Sequence, residues 1–586
     1  MSRLTLNFTR ALACLGILIT SAAALKVKAQ TSDPGAAGPL AVTREEYNYG
    51  DLAFTPTGFP SAVELKASVH YPTGLPGGPY PLVVFLHGRH VTCYTAKSGQ
   101  TALRWPCRST ETVIPSYQGY DYIAQNLASN GYIVVSVSAN GINAFDNNVT
   151  DLGMQARAEL LQRHLQQWAT FNTAGAAPFG TKFVGKVNLQ RVGTMGHSRG
   201  GEGVVKHYVY NASQGSPYGI KAVFPLAPVD FNRPVANNTA LAVALPYCDG
   251  DVNDNQGVHF FDDARYNVAG DASPKHTIQV MGANHNYFNT VWTPGLFPAG
   301  GADDWGFTSG GSTDPQCGTG AGNHRLTPAQ ERGVGLAYIS AVMRAYVGGE
   351  TQFLPYLTGE TPPPPSAQTT DLHVSYHAPA AARRDVNRLL TSTNLTTNTL
   401  GGATTQAGLT PHDLCGGDSP QPQHCLPSTQ ATSRQPHTVP SARATTVRGL
   451  SQLRTGWSST TATYTNNLPT GATNVSGFRW LTFRVSVNFA DTRNPSGIPQ
   501  NFRVVLTDGA GATSAVTVSS FSDVLFYPPG SVGPVPKVVL NTARIPVTAF
   551  SGVNLSDIRS VQFKFDQSPS GALLISDVSF ASPPAP

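Results

Sequence analysis

Between residues 79 and 348, short and almost continuous apolar runs alternate with stretches whose apolar residues recur at helical spacing. Residues 82–86, 132–137 and 191–195 are runs of the first kind, and residues 222–226, 241–247 and 277–281 repeat the pattern downstream. Uninterrupted apolar runs suit strands covered on both faces, because neither side of the pleat then meets water. Between the second and third runs, Ala158, Leu161, Leu165 and Trp168 stand three or four residues apart and share one face of a predicted helix. A second helix is predicted over residues 327–346. Strands and helices in alternation give a mostly parallel sheet flanked by helices.

The period changes after Thr361-Pro362-Pro363-Pro364-Pro365-Ser366, a segment that favours extended polyproline backbone and predicts a linker over residues 359–368. Beyond it Leu481, Phe483, Val485, Val487 and Phe489 alternate with Thr482, Arg484, Ser486 and Asn488, which sends one set of side chains inward and the other outward. Residues 502–506, 516–518, 561–565 and 574–580 continue the alternation, with Asp508-Gly509 as a turn, so an antiparallel β-sandwich is expected over residues 369–586. Residues 391–441, rich in Thr, Gln, Ser and Pro, show no period and are expected to form long loops. The first domain then covers residues 30–358.

Composition narrows the functional classes. Charged residues make up only 12% of the 586, while 58 Gly and 45 Pro imply many turns, as in exported, loop-rich proteins. A net charge of +5 without a dense Lys/Arg run gives no electrostatic reason to expect nucleic acid as a partner. Arg3 and Arg10 precede an apolar stretch over residues 11–25 and then Val27-Lys28-Ala29, which predicts a signal peptide over residues 1–29 and a secreted or periplasmic location. The apolar stretch is shorter than the ~20 residues of a spanning helix, so no stable membrane span is expected. Of seven cysteines, Cys14 falls in the leader. Proximity pairs Cys93 with Cys107 and Cys415 with Cys425, which leaves Cys248 for Cys317. No Cys-x-x-Cys spacing supports a metal site.

Gly196-His197-Ser198-Arg199-Gly200 follows the apolar run ending at Met195 and precedes a predicted helix. A G-x-S-x-G turn between strand and helix holds its serine in a sharp elbow, and glycines flank it because neighbouring backbone comes close. A serine hydroxyl attacks only when a base takes its proton, and that base needs an acid to hold its tautomer. His285, in the loop after residues 277–281, has the position for the base. The acid is expected after residues 241–247, where Asp249, Asp251 and Asp254 compete; Asp251 is the expected acid, Asp254 the alternative, and Asp249 the last choice. A competing reading makes Asp249, Asp251, Asn253 and Asp254 a calcium loop, although the glycine and distal glutamate of an EF-hand are missing. The two oxyanion donors are expected from the amides of Arg199 and Arg89, the latter in His87-Gly88-Arg89 at the end of the run over residues 82–86. Glu202, one helical turn beyond Ser198, is expected to pair with Arg89 or Arg199 or to form a plain surface salt bridge.

These residues, His87-Gly88, Gly-His-Ser-Arg-Gly-Gly at 196–201 and Gly-Ala-Asn-His at 282–285, resemble the α/β-hydrolase superfamily, in particular exported cutinase-like, dienelactone-hydrolase-like and chlorophyllase-like esterases. The resemblance covers residues 42–348. It implies an α/β-hydrolase fold and cleavage of carboxylic esters, polymeric or lipid ones included, through an acyl-enzyme formed on Ser198 without a cofactor. Arg89 stands where polyester hydrolases carry an aromatic residue, and residues 286–326 are an insertion relative to compact cutinases. Tyr287, Phe288, Trp292, Phe297, Trp305 and Phe307 within it would serve as a lid or pocket wall, or as satellite core. The sandwich resembles jelly-roll modules of exported hydrolases, which implies either carbohydrate or polymer contact through solvent-facing aromatics such as Trp457 or Tyr464, or a purely structural or interdomain role. Two alternatives remain at this level: a catalytically inactive binding protein, and a serine peptidase on the same scaffold.

Overall fold

The six apolar runs form the parallel centre of a nine-stranded sheet. In chain order its strands are β1 (Val42–Asn48), β2 (Lys66–Pro72), β3 (Tyr80–Leu86), β4 (Ile133–Val137), β5 (Val187–His197), β6 (Ile220–Leu226), β7 (Ala240–Pro246), β8 (Lys275–Val280) and β9 (Leu372–His377). In the computed structural model, which describes residues 32–307, 311–320, 322–417 and 424–584, they lie in the order β1-β2-β4-β3-β5-β6-β7-β8-β9. Strands β3 to β8 run parallel, whereas β1, β2 and β9 are antiparallel additions at the two edges. The expected leader over residues 1–29 lies outside the described residues. Among the described residues, no helix is long and apolar enough to cross a membrane.

The apolar runs are buried on both faces because helices cover both. Leu160, Leu161, Leu165 and Trp168 of α3 (Met154–Thr173) pack on one face with Val204 and Val205 of α4 (Arg199–Ser213) and Phe260 and Phe261 of α5 (Val258–Ala264). On the other face lie Ile123 and Leu127 of α1 (Asp121–Ser129) and Val334 to Val342 of α6 (Pro328–Val342). The short α2 (Asn140–Phe145) follows β4. Helix α6 begins on a capping box between Thr327 and Gln330, so the predicted start at Thr327 marks its cap.

The C-terminal part consists of two antiparallel sheets. In one, Leu409–Cys415, Gln452–Trp457, Gly571–Ala581, Trp480–Val487 and Asn541–Pro546 lie side by side, with Arg383–Asn387 also paired to Gly571–Ala581. The other places Thr404–Ala407, Thr463–Asn467, Ile558–Lys564, Arg503–Asp508 and Thr513–Thr517 in that order. Their inward residues form one apolar core. Strands at residues 404–407 and 409–415 replace part of the loop expected over residues 391–441. Trp457 and Tyr464, expected to face solvent, are both 1% exposed and belong to this core, so neither offers a sugar-stacking surface.

Two further expectations need correction. The domain boundary at residue 369 cuts through the larger sheet, because β9 lies beyond it and pairs along its whole length with β8. The proline segment is not a free linker. Ser366 bonds to Asp33 through its amide (2.9 Å) and hydroxyl (2.6 Å). A Cβ on Gly333 of α6 would stand 2.6 Å from the Ser366 carbonyl oxygen, which is how closely this segment packs on the helix. The three expected disulfides, Cys93–Cys107, Cys248–Cys317 and Cys415–Cys425, are formed.

Candidate active site

Ser198 separates β5 from α4 and adopts φ 59° and ψ −124°, a conformation that L-residues avoid at a cost of about 1–3 kcal/mol. Close backbone contacts hold it there. A Cβ at Gly196 would overlap the Gly200 carbonyl, one at Gly200 would approach the Leu86 oxygen to 2.5 Å, and one at Gly88 would reach the Ser198 Cβ at 2.5 Å. The glycines of the motif thus let β3, β5 and α4 converge on the serine. His87 fastens the β3 end of this junction: its Nδ1 bonds to the Gly88 oxygen (2.8 Å) and its Nε2 accepts from the Ala139 amide (2.9 Å). Burial pulls its pKa down to about 3, consistent with a neutral ring that donates at one nitrogen and accepts at the other.

His285 is 1% exposed, and its Nδ1 lies 2.8 Å from Oδ2 of Asp249. Asp249 is wholly buried, and its other oxygen accepts from the amides of Asp251 (3.0 Å) and Val252 (2.7 Å). Asp249, the last choice from sequence, therefore occupies the orienting position expected of Asp251. The reason lies in where β7 ends. The strand stops at Pro246, and the chain stays beside the histidine loop for two more residues through Tyr247 N to Val280 O and Cys248 N to Ala283 O. Residue 249 is then the one facing His285. The Asp251 side chain is 62% exposed and stands 3.6 Å from the opposite ring nitrogen, Nε2. Asp254 turns back on its own loop, accepting from the Gln256 amide (3.1 Å) and side chain.

Burial disfavours a charged imidazole, but the charge and hydrogen bond of Asp249, followed by the charges of Asp251 and Asp304, outweigh it and push His285 up to about 10. Among the described residues, Nε2 has no hydrogen-bond partner and the Ser198 hydroxyl makes no hydrogen bond, so the two are not linked in this structure. Ser198, Asp251, Arg89 and Arg199 line one cleft of about 210 Å³.

Sequence reasoning missed Asp304, which lies in the insertion. Its Oδ2 accepts from the amides of Gly250 (2.8 Å) and His285 (2.9 Å), and its Oδ1 from Asn286 (3.1 Å). One buried carboxylate thus ties the acid loop to the histidine loop. Burial and the Asp249 charge push its pKa up to about 6. The only local signal was a pair of aspartates in a stretch of glycines and aromatics. Asp304→Asn places an amide nitrogen among backbone donors and is expected to cost about 1.5–3 kcal/mol, read as a lower melting temperature in thermal denaturation.

Four of the aromatics in residues 286–326 are packed away from solvent, and Phe297 is half-buried. Tyr287, Phe288, Trp292 and Trp305 are all at most 9% exposed. The Trp292 ring packs 5.1 Å from His90 and 4.8 Å from His197, and its Nε1 donates to Ser116 Oγ at 3.0 Å. The side chain of Phe307 lies outside the described residues.

Arg89 and Arg199 pair with buried Asp146, not Glu202. Arg89 Nε lies 3.0 Å and Arg199 Nη1 2.8 Å from its oxygens, and Arg157 adds a third guanidinium at 2.9 Å. Glu202 is buried and instead accepts from the amides of Phe231 (2.7 Å) and Asn232 (2.9 Å). Burial and Asp230 push it up to about 8. The Arg199 amide is the first of α4 and has no intrahelical acceptor. Among the described residues, the Arg89 amide has no acceptor either. Both donors are therefore free beside Ser198. The calcium reading fares worse, since both Asp249 oxygens are taken by amides and His285, and no group of three or more His, Cys, Asp or Glu side chains among the described residues is placed to hold a metal ion. No family model and no curated protein matches the chain.

Proposed function

We propose that the chain is a serine hydrolase of the α/β-hydrolase type that cleaves carboxylic esters, with Ser198 as nucleophile, His285 as base and Asp249 as orienting acid. The observation that carries this reading is a strained serine at a strand–helix elbow that shares a cleft with Asp251, whose carboxylate stands 3.6 Å from Nε2 of buried His285; the Nδ1 of that ring is held by a carboxylate, and its Nε2 makes no hydrogen bond among the described residues. The residues follow β5, β7 and β8 in the order serine, acid, histidine, with an oxyanion loop after β3, as this fold arranges them.

The chemistry follows from these placements. Asp249 fixes the proton on Nδ1, so neutral His285 accepts the Ser198 proton at Nε2 as Oγ bonds to the ester carbonyl carbon. Negative charge collects on the carbonyl oxygen and is met by the amides of Arg89 and Arg199. Collapse breaks the bond to the alcohol oxygen, which leaves with the proton from Nε2. A water molecule then gives a proton to Nε2 as its oxygen bonds to the acyl carbon; the bond from that carbon to Oγ breaks, Nε2 returns the proton to Ser198 Oγ, and the acid leaves. In apo structures the serine–histidine bond is commonly long and tightens only in the complex.

The cleft's small size and the charged residues that line it, Arg89, Arg199, Asp251 and Asp254, support short or hydrophilic esters over long-chain lipids. Three disulfides suit an oxidising, extracytoplasmic environment. The test is labelling by a fluorophosphonate probe together with turnover of short-chain nitrophenyl esters at alkaline pH. Wild type is expected to do both, and Ser198→Ala to lose labelling and about 10⁶-fold in kcat. Turnover of no ester, or labelling that persists in Ser198→Ala, would reject the assignment.

A further inference from the structure

The β-sandwich reaches under the loop that carries Asp249. Lys537 is 1% exposed, and its Nζ donates to the Tyr247 carbonyl (2.9 Å) and to Asn255 Oδ1 (3.0 Å), the residues that bracket the acid loop. Asn255 in turn donates to the Pro246 carbonyl at 2.8 Å, so both ends of the loop converge on one ammonium. Neighbouring sandwich residues add to this grip. The Tyr247 hydroxyl donates to the Pro529 carbonyl (2.8 Å) and accepts from the Lys537 amide (3.0 Å). The amides of Ser531 (2.7 Å) and Val532 (3.0 Å) donate to Asp314, whose other oxygen accepts from Cys317 (2.7 Å), the disulfide partner of Cys248.

A buried ammonium is unfavourable unless its donors and charge are answered. Here a carbonyl and an amide oxygen answer the donors. The carboxylates of Asp249 and Asp254 answer the charge against a burial that pulls Lys537 down to about 8. Tyr247 also lies under its charge, and the charges of Asp314 and Arg434 act on that tyrosine as well.

We infer that Lys537 is a positioning residue for the proposed reaction: by gripping both ends of the acid loop, the sandwich sets Asp249 against His285, and its ammonium offsets part of the negative field around that histidine. This rests on the serine-hydrolase reading. It makes the sandwich part of the catalytic apparatus, whatever else it binds.

The experiment uses the full chain with Lys537→Met, Lys537→Gln and, in parallel, Ser198→Ala, assayed on a soluble short-chain nitrophenyl ester across the titration of His285. Lys537→Met is expected to lose about 10²-fold in kcat, the scale of an ångström of misplacement, with KM within about twofold. The acid limb of its pH profile moves upward because the negative field is no longer offset. Lys537→Gln keeps a donor without the charge, so it is expected to recover part of kcat while its limb stays shifted. If Lys537→Met fails to fold, kcat and the limb of Lys537→Gln decide. A lower melting temperature with wild-type kcat and an unmoved limb would reduce Lys537 to structural support and overturn the inference. If Ser198→Ala is silent while the Lys537 variants behave as wild type, only this inference fails; if Ser198→Ala still turns over ester, the hydrolase reading fails.

Discussion

Asp249→Asn is expected to lower kcat by about 10⁴-fold, whereas Asp251→Asn is expected to keep kcat within about tenfold and to move the acid limb of activity to lower pH. The two aspartates sit on opposite nitrogens of one ring. Asp249 meets Nδ1 at 2.8 Å from a buried position, so an asparagine there offers an amide that can hold the wrong tautomer. Asp251 stands 3.6 Å from Nε2 with a solvated side chain, and its influence is a screened charge. The proposed reaction requires the neutral ring, so kcat/KM of wild type is expected to rise with pH as His285 loses the proton it holds up to about 10. Removing the Asp251 charge lowers that value. A pH profile of kcat/KM for the two variants checks both statements, and a catalytic loss confined to Asp251→Asn would reverse the assignment. Stability carries the matching sign. The histidine pKa is raised above its unfolded value of about 6.5, so the imidazolium's contribution is complete below that pH and is lost as pH climbs through about 10. Chemical denaturation across that window reads it.

Truncation after Pro365 is expected to yield no soluble, cooperatively folded hydrolase domain. The cut removes β9, which leaves the unpaired edge of β8 exposed. It also strips partners from buried groups. Asp262 of α5 accepts from His437 (2.7 Å) and Arg484 (2.9 Å), and Gln279 of β8 accepts from Asn541 (2.7 Å). Removing the partner of a buried charge commonly costs about 3–5 kcal/mol, a large part of the whole stability of a domain. Expression of residues 30–365, followed by gel filtration and calorimetry, checks this. A monomer with a sharp thermal transition would show that the two parts are independent.

Much of the fold was legible because burial on both faces leaves a plain mark. Each of the six apolar runs lies within a strand or overruns its end by a single residue, and the Gly196-to-Gly200 turn stands between strand and helix as read. The site was less legible because its selectivity is set by distances that sequence spacing does not encode. Choosing among three aspartates depended on how far the chain stays beside the histidine loop after β7 ends at Pro246, and its pairing through Tyr247 and Cys248 sets Asp249, not Asp251, against Nδ1 of His285. Asp146, Asp304 and Lys537 lie far along the chain from the residues they hold, and nothing local marks them. Trp457 and Tyr464 show the converse limit, since alternation says that one face is inward without saying which. Four consecutive prolines fix local backbone conformation, yet they do not tell whether that backbone lies free or docks on a helix.

The Cys248–Cys317 bond spans 69 residues and closes a covalent circuit that contains Asp249, His285 and Asp304 but leaves Ser198 outside. A circuit of this length removes about 4 kcal/mol of chain entropy from the open form. Reduction would therefore slacken the loops that carry Asp249, His285 and Asp304 while leaving Ser198 on its elbow. On the proposed reading, a chain kept in a reducing compartment would hold Ser198 on its elbow without a firmly placed base, and ring closure under oxidising conditions would complete the pairing.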